Sequence, residues 1–210
     1  MRRVWYVAYG SNMGLDRFRC YLAGGTPAGG LREYAGCRDP RDHADSAGLR
    51  VPGGLVFAGR STVWGGGMAF YDGTGSGEVA SRAYLVTEEQ FADVVAQEMR
   101  RPPGGDFAQE LVEVLPDVES AHVMGSGRYE TITRLGRRDG WPMFTATHED
   151  VASIELAAPT AAYLRWISTG LGEAHGWDGA RIAGYLAAAG GVAGSWSYDE
   201  LASIARGSVD

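Results

Sequence analysis

The sequence predicts an α+β fold, a mixed twisted sheet with packed helices and a C-terminal helical segment. Three observations carry this prediction. A β-branched and aromatic run opens the chain, short strand-like segments fill its middle, and helical periodicity dominates after Pro159.

Residues 3–9 (R-V-W-Y-V-A-Y) contain no breaker and read as a buried strand that stops at Gly10-Ser11-Asn12. A short helix is expected from Gly14 to Ala23, followed by irregular chain rich in Gly, Arg and Asp to about Gly54. Strands follow at Leu55 to Phe57, at Val63 to Tyr71 with Gly65-Gly66-Gly67 interrupting, and at Val79 to Val86. The last of these comes after D-G-T-G-S-G, which reads as a hairpin turn. Thr87-Glu88-Glu89-Gln90 matches a capping box and starts a helix that ends near Arg101, ahead of two prolines. A second helical piece is expected over Asp106 to Val114. Strands then cover Ala121 to Met124, Tyr129 to Leu135 and Pro142 to Thr147, with Arg137-Arg138-Asp139-Gly140 as a turn. Helices at Ala161 to Leu171, Gly179 to Ala189 and Tyr198 to Ala205 complete the pattern. The expected organisation is one domain over 1–158, with a helical extension over 159–210 packed on it.

Composition excludes several function classes. No lysine occurs, so all 19 basic residues are arginine, and Schiff-base, Walker-type and Ser-Lys chemistries are ruled out. A net charge of −7 argues against affinity built on nucleic-acid phosphates. No stretch is long and apolar enough to span a bilayer or serve as a secretory signal, so the expected location is cytoplasmic, with no membrane partner. Cys20 and Cys37, the two cysteines, read as small hydrophobes in the absence of any C-x-x-C. Asp39, Asp42, His43 and Asp45 form the densest metal-like cluster, yet they read equally as a polar loop with its own arginine counter-ions, and no metal is expected. No G-x-S-x-G elbow is present, and the scattered tryptophans (Trp64, Trp141, Trp166, Trp177, Trp196) read as core.

Two constellations can carry chemistry. On the helix from Glu88, Phe91, Val94 and Val95 fall at i, i+3 and i+4 of one face, and position i+7 is Glu98. A carboxylate on that stripe either sits in a pocket as a proton shuttle, or lies at the stripe's C-terminal edge, where it pairs with Arg100 or Arg101 or reaches solvent. Tyr9-Gly10-Ser11-Asn12-Met13 ends the first strand. It is either an ordinary turn or a cradle of backbone N–H groups for a carboxylate or oxyanion.

Y-G-S-N-M after an N-terminal apolar strand resembles the signature of the γ-glutamylcyclotransferase-like family. The order of later features is similar too. Ala83-Tyr84-Leu85-Val86-Thr87 leads into the helix carrying Gln97-Glu98, Tyr129 stands where the family has a pocket tyrosine, and residues 159–170 (P-T-A-A-Y-L-R-W-I-S-T-G) match its P-S/T-x-x-Y-L-x-x-I-x-x-G helix. The resemblance covers about residues 4–172, with gaps. It departs from the family in the long polar stretch before Gly54 and in the roughly thirty residues between Glu98 and Tyr129, either of which can reshape the pocket.

The resemblance implies a sheet curled towards a small barrel and a cofactor-free enzyme. The free α-amine of a γ-glutamyl amine or peptide attacks its own γ-carbonyl, giving 5-oxoproline and the released amine. In that reading Glu98 is the general acid/base, Gly10, Ser11, Asn12 and Met13 hold the α-carboxylate or oxyanion, and Tyr9 and Tyr129 line the site. Two alternatives stand beside it. One is a non-catalytic module binding an acidic amino acid or γ-glutamyl ligand, and the other is a metal-dependent amidohydrolase using Asp42, His43 and Asp45.

Overall fold

The computed structural model describes residues 2–27, 32–62 and 65–209. The expected start of a strand at Val63 and the core placement of Trp64 lie outside the described residues. The chain divides into two compact, interleaved units. The first comprises Met1–Val7, Asp16–Ala47 and Ala83–Glu149, and the second Ala8–Leu15, Gly48–Arg82 and Asp150–Asp210.

The first unit is built on a mixed sheet. Its strands are β1 (Arg3–Ala8), β2 (Asp45–Pro52), β5 (Glu78–Thr87), β6 (Ala121–Val123), β7 (Thr131–Arg138) and β8 (Trp141–Thr147), in the order β2-β5-β1-β8-β7-β6. The last residue of β1, the second part of β2 and the first part of β5 belong to the second unit. β1 runs parallel to β8, with Trp5 opposite Met143, while β7 is antiparallel to both β6 and β8. The order has two ends, so among the described residues the sheet does not close into the expected barrel. The β7–β8 turn uses Asp139 and Gly140 at φ of 48° and 83°, where Asp and Gly are the residues that tolerate positive φ.

β2 is a strand that the sequence reading missed. It lies at the sheet end and is largely exposed or half-buried, so it lacks the apolar alternation that marks a strand. Helix α1 (Leu15–Ala23), α2 (Glu88–Glu98) and α3 (Asp106–Val114) follow the expectation closely. The α2 capping box is complete: the Gln90 amide donates to Thr87 Oγ1 at 3.0 Å, and the Thr87 amide donates to Gln90 Oε1 at 3.1 Å. Phe91, Val94 and Val95 face the core as the periodicity predicts, and rings of Tyr6, Phe18, Tyr84, Phe91 and Phe144 make up its centre.

The second unit holds the antiparallel pair β3 (Gly54–Ala58) and β4 (Met68–Asp72) with helices α4 (Ala161–His175), α5 (Gly179–Ala187) and α6 (Tyr198–Val209). D-G-T-G-S-G forms a turn, closed by Thr74 donating to Asp72, but not a hairpin turn. β4 pairs with β3, and β5 belongs to the other sheet. Thr160 and Asp178 cap α4 and α5, and Leu164, Ile167, Leu171, Ile182, Leu186 and Leu201 are fully buried. Trp177 is core as read, whereas Trp141 is 37% exposed at the start of β8 and is not. No described helix is long and apolar enough to cross a membrane.

Candidate functional site

Glu98 is the last residue of α2 and is half-buried. The helix end that carries it is fixed by its neighbour Gln97, which is 2% exposed. Gln97 Nε2 donates to Tyr21 O at 3.0 Å, its Oε1 accepts from the Gly36 amide at 3.1 Å, and its carbonyl accepts from Arg32 at 3.1 Å. Buried amide groups satisfied on both ends hold one rotamer and one backbone position. Gln97 continues a polar stripe on α2. Gln90 donates to Asp39 O and Arg41 O, and the fully buried Asp93 accepts from the Arg38 side chain and from the Arg38 and Gly104 amides. Positions i, i+3 and i+7 of this face therefore clasp the long polar segment that the sequence left as irregular connection. Reading the polar face of α2 as a stripe, as its apolar face was read, would have exposed this signal.

Below the end of α2 lies a buried cluster from α1 and the segment after it. Arg17 donates to Tyr34 OH at 2.8 Å, the Tyr21 and Tyr34 hydroxyls are 3.4 Å apart, and the Arg17 guanidinium lies over both rings. Burial, followed by the charge of Glu98, pushes the Tyr21 phenol well above its ordinary range. Glu98 thus shares an electrostatic environment with Tyr21. Of the two arginines considered for the helix end, Arg101 forms an ion pair with Glu130.

Tyr129 is half-buried, in the turn just before β7 and not on the strand itself. It lies in the same unit as Glu98.

The Tyr9–Met13 segment lies in the second unit. Ser11–Met13 form a 3₁₀ turn in which the Met13 amide donates to Gly10 O at 3.1 Å and the Gly14 amide to Ser11 O at 3.2 Å. Tyr9, Ser11, Asn12 and Met13 are buried. Helix α4 packs directly on this turn because Gly170 has no Cβ. A Cβ there would lie 2.5 Å from Met13 Cβ and 2.8 Å from Gly14 N. A Cβ on Gly10 would lie 3.2 Å from Tyr163 OH, so Tyr163 and Gly170 of the P-T-x-x-Y helix both bear on the turn. The buried Arg82 then donates to Met13 O and to Glu173, each at 2.7 Å, and Glu173 accepts from the Leu15 amide at 3.0 Å.

The metal-like residues do not converge. Asp39 bonds Arg41, Asp42 bonds Arg19 and His43, and the His43 ring packs edge-on to Tyr84 at 5.0 Å. Among the described residues no three His, Cys, Asp or Glu side chains are grouped to hold a metal. Cys20 and Cys37 are both free thiols, Cys37 buried and Cys20 half-buried.

No family model matches the chain. Over 187 residues, 81% of this chain, it is 29% identical to histone deacetylase 5 of Arabidopsis thaliana, and the match spans 28% of that protein's length. Two solved structures are similar at a TM-score of 0.48 each. One is the uncharacterized human protein loc79017, at 16% identity over 83% of this chain and 82% of that one. The other is a gamma-glutamyl cyclotransferase, at 15% identity over 83% and 81%.

Proposed function

We propose that the chain is a γ-glutamylcyclotransferase-type enzyme, with Glu98 as general acid/base. The observation that carries this reading is the setting of Glu98. It is a half-buried carboxylate at a helix end immobilised by Gln97, beside a buried Arg17–Tyr34–Tyr21 cluster. A proton-transferring group needs that fixed placement, whereas a surface carboxylate gains nothing from it.

The reaction balances within the substrate. The α-amine nitrogen forms a bond to the γ-carbonyl carbon and closes a five-membered ring. Glu98 accepts the proton that this nitrogen loses. The bond from the γ-carbon to the leaving nitrogen breaks as Glu98 returns the proton to it, giving 5-oxoproline and a free amine. Because the nucleophile is tethered, proximity supplies much of the acceleration, and no enzyme nucleophile is required. Gly10, Ser11, Asn12 and Met13 are assigned to holding the α-carboxylate or the developing oxyanion, and Tyr9 and Tyr129 to lining the substrate. Within the second unit, the seating of the Ser11–Met13 turn under α4 and on Arg82 suits the holding task.

The test is release of 5-oxoproline from a panel of γ-glutamyl amines and dipeptides, with a chelator present. Turnover of at least one member is expected. Binding of the panel without turnover would favour a binding module instead.

A further inference from the structure

The stretch between Glu98 and Tyr129 folds as α3 and β6 and then returns to its starting point. Three residues after Glu98, the Arg101 guanidinium reaches the carboxylate of Glu130, which directly follows Tyr129, and forms an ion pair with it. Glu130 is 3% exposed. Its other oxygen accepts from the Gly127 amide at 2.6 Å, and its backbone carbonyl accepts from the Met124 amide at 2.8 Å. The Tyr129 turn is therefore wrapped around a single carboxylate.

The glycines of M-G-S-G-R-Y-E make this possible. A Cβ on Gly127 would lie 2.6 Å from Glu130 Cδ and would overlap Met99 Cε, so this backbone sits directly against the residue following Glu98. Arg101 also lies over the Phe107 ring at 4.5 Å, which ties the same guanidinium to α3.

We propose that the Arg101–Glu130 ion pair is the positioning element of this site, holding the Tyr129 turn against the helix end that carries Glu98. Arg101 and Glu130 are positioning residues that touch no substrate. This rests on the cyclotransferase reading for its consequence in catalysis, but not for its consequence in structure. A displacement of about 1 Å at reacting groups costs on the order of 100-fold in rate. Loss of the pair should therefore act on kcat well before it acts on substrate binding.

The experiment uses the full chain and γ-glutamyl-alanine as probe, comparing wild type with Glu130→Gln, Arg101→Met and Arg101→Lys. The expected result is a fall in kcat of about 100-fold in Glu130→Gln and Arg101→Met with KM changed less than about 3-fold. Arg101→Lys, which keeps the cation, should recover kcat to within about 10-fold of wild type. A merely structural role would lower the unfolding midpoint of all variants without this split between kcat and KM. Folded Glu130→Gln and Arg101→Met with wild-type kcat would overturn the proposal.

Hydrogen exchange supplies a readout independent of activity. Amides at 97–101 and 125–130 should exchange faster together in Glu130→Gln than in wild type. A wild type that is silent on the whole panel would remove the cyclotransferase reading, and unchanged exchange in both segments would then remove the positioning role as well.

Discussion

Two Gly→Ala substitutions in neighbouring helices should have opposite signs. In a helix interior, replacing Gly by Ala stabilises by about 1 kcal/mol through backbone entropy. Gly184, on the exposed face of α5, has nothing within 4 Å of an added Cβ, so Gly184→Ala should show that gain. At Gly170 the same methyl meets Met13 Cβ at 2.5 Å, Gly14 N at 2.8 Å and Met13 C at 2.8 Å. Two of these are backbone atoms of a turn held by Arg82, and no side-chain rotation relieves the overlap. Overpacking of this kind costs about 1–3 kcal/mol, and more where backbone must move, so the intrinsic gain is cancelled or exceeded. Urea unfolding of the two variants beside wild type measures both terms with one chemical change. The expected difference between them is the overpacking cost alone, about 1–3 kcal/mol, because the intrinsic gain is common to both. Equal stabilisation by both substitutions would refute the packing of α4 on the Ser11–Met13 turn.

Glu173→Gln should remove the carboxylate that pairs with the buried Arg82 guanidinium and weaken the hold on the turn, at a cost of about 2 kcal/mol by thermal unfolding and with a raised KM for γ-glutamyl substrates. Burial, followed by the charges of Asp93 and Asp39, pushes the Cys37 thiol far up, and Cys20 is raised less. A thiol reagent at pH 8 should therefore label Cys20 in the folded protein and Cys37 only at the rate of unfolding. Burial, together with the charges of Arg50, Arg82 and Arg181, lowers the His175 imidazole against the opposing hydrogen bond with Ser81. A lowered folded value means that the unfolded chain binds the proton more readily. Stability is then complete above the unfolded value of about 6.5 and declines as pH falls through it towards the folded value. A His175→Gln variant should show a flatter midpoint-versus-pH curve over that window, and an unchanged slope would contradict the assignment.

The sequence was most legible where one residue's chemistry settles a local choice. Thr87 and Gln90 marked the start of α2 because their reciprocal bonds require that spacing, and Phe91, Val94 and Val95 marked its buried face. β2 was not legible. A strand at the sheet end with Asp45, Arg50 and Pro52 lacks the apolar alternation that identifies strands elsewhere in the chain. The clasp of residues 36–41 by Gln90, Asp93 and Gln97 was hidden because a buried polar side chain looks like a solvated one until its partners, distant in sequence, are known. Glu98 and the Tyr129 turn fared differently. Glu98 was singled out by a departure from periodicity and stands at a fixed helix end. The Tyr129 turn depends on Arg101, Gly127 and Glu130, which no local pattern had joined.

The most direct test of Glu98 as the proton-transferring group is 5-oxoproline release by wild type and Glu98→Gln at matched protein concentration, with ligand binding measured on both. General acid–base catalysis contributes about 10²–10⁴-fold, so kcat in the variant should fall by at least about 100-fold while its affinity for a γ-glutamyl ligand stays near wild type. A folded Glu98→Gln protein that turns over substrate at the wild-type rate would contradict the assignment.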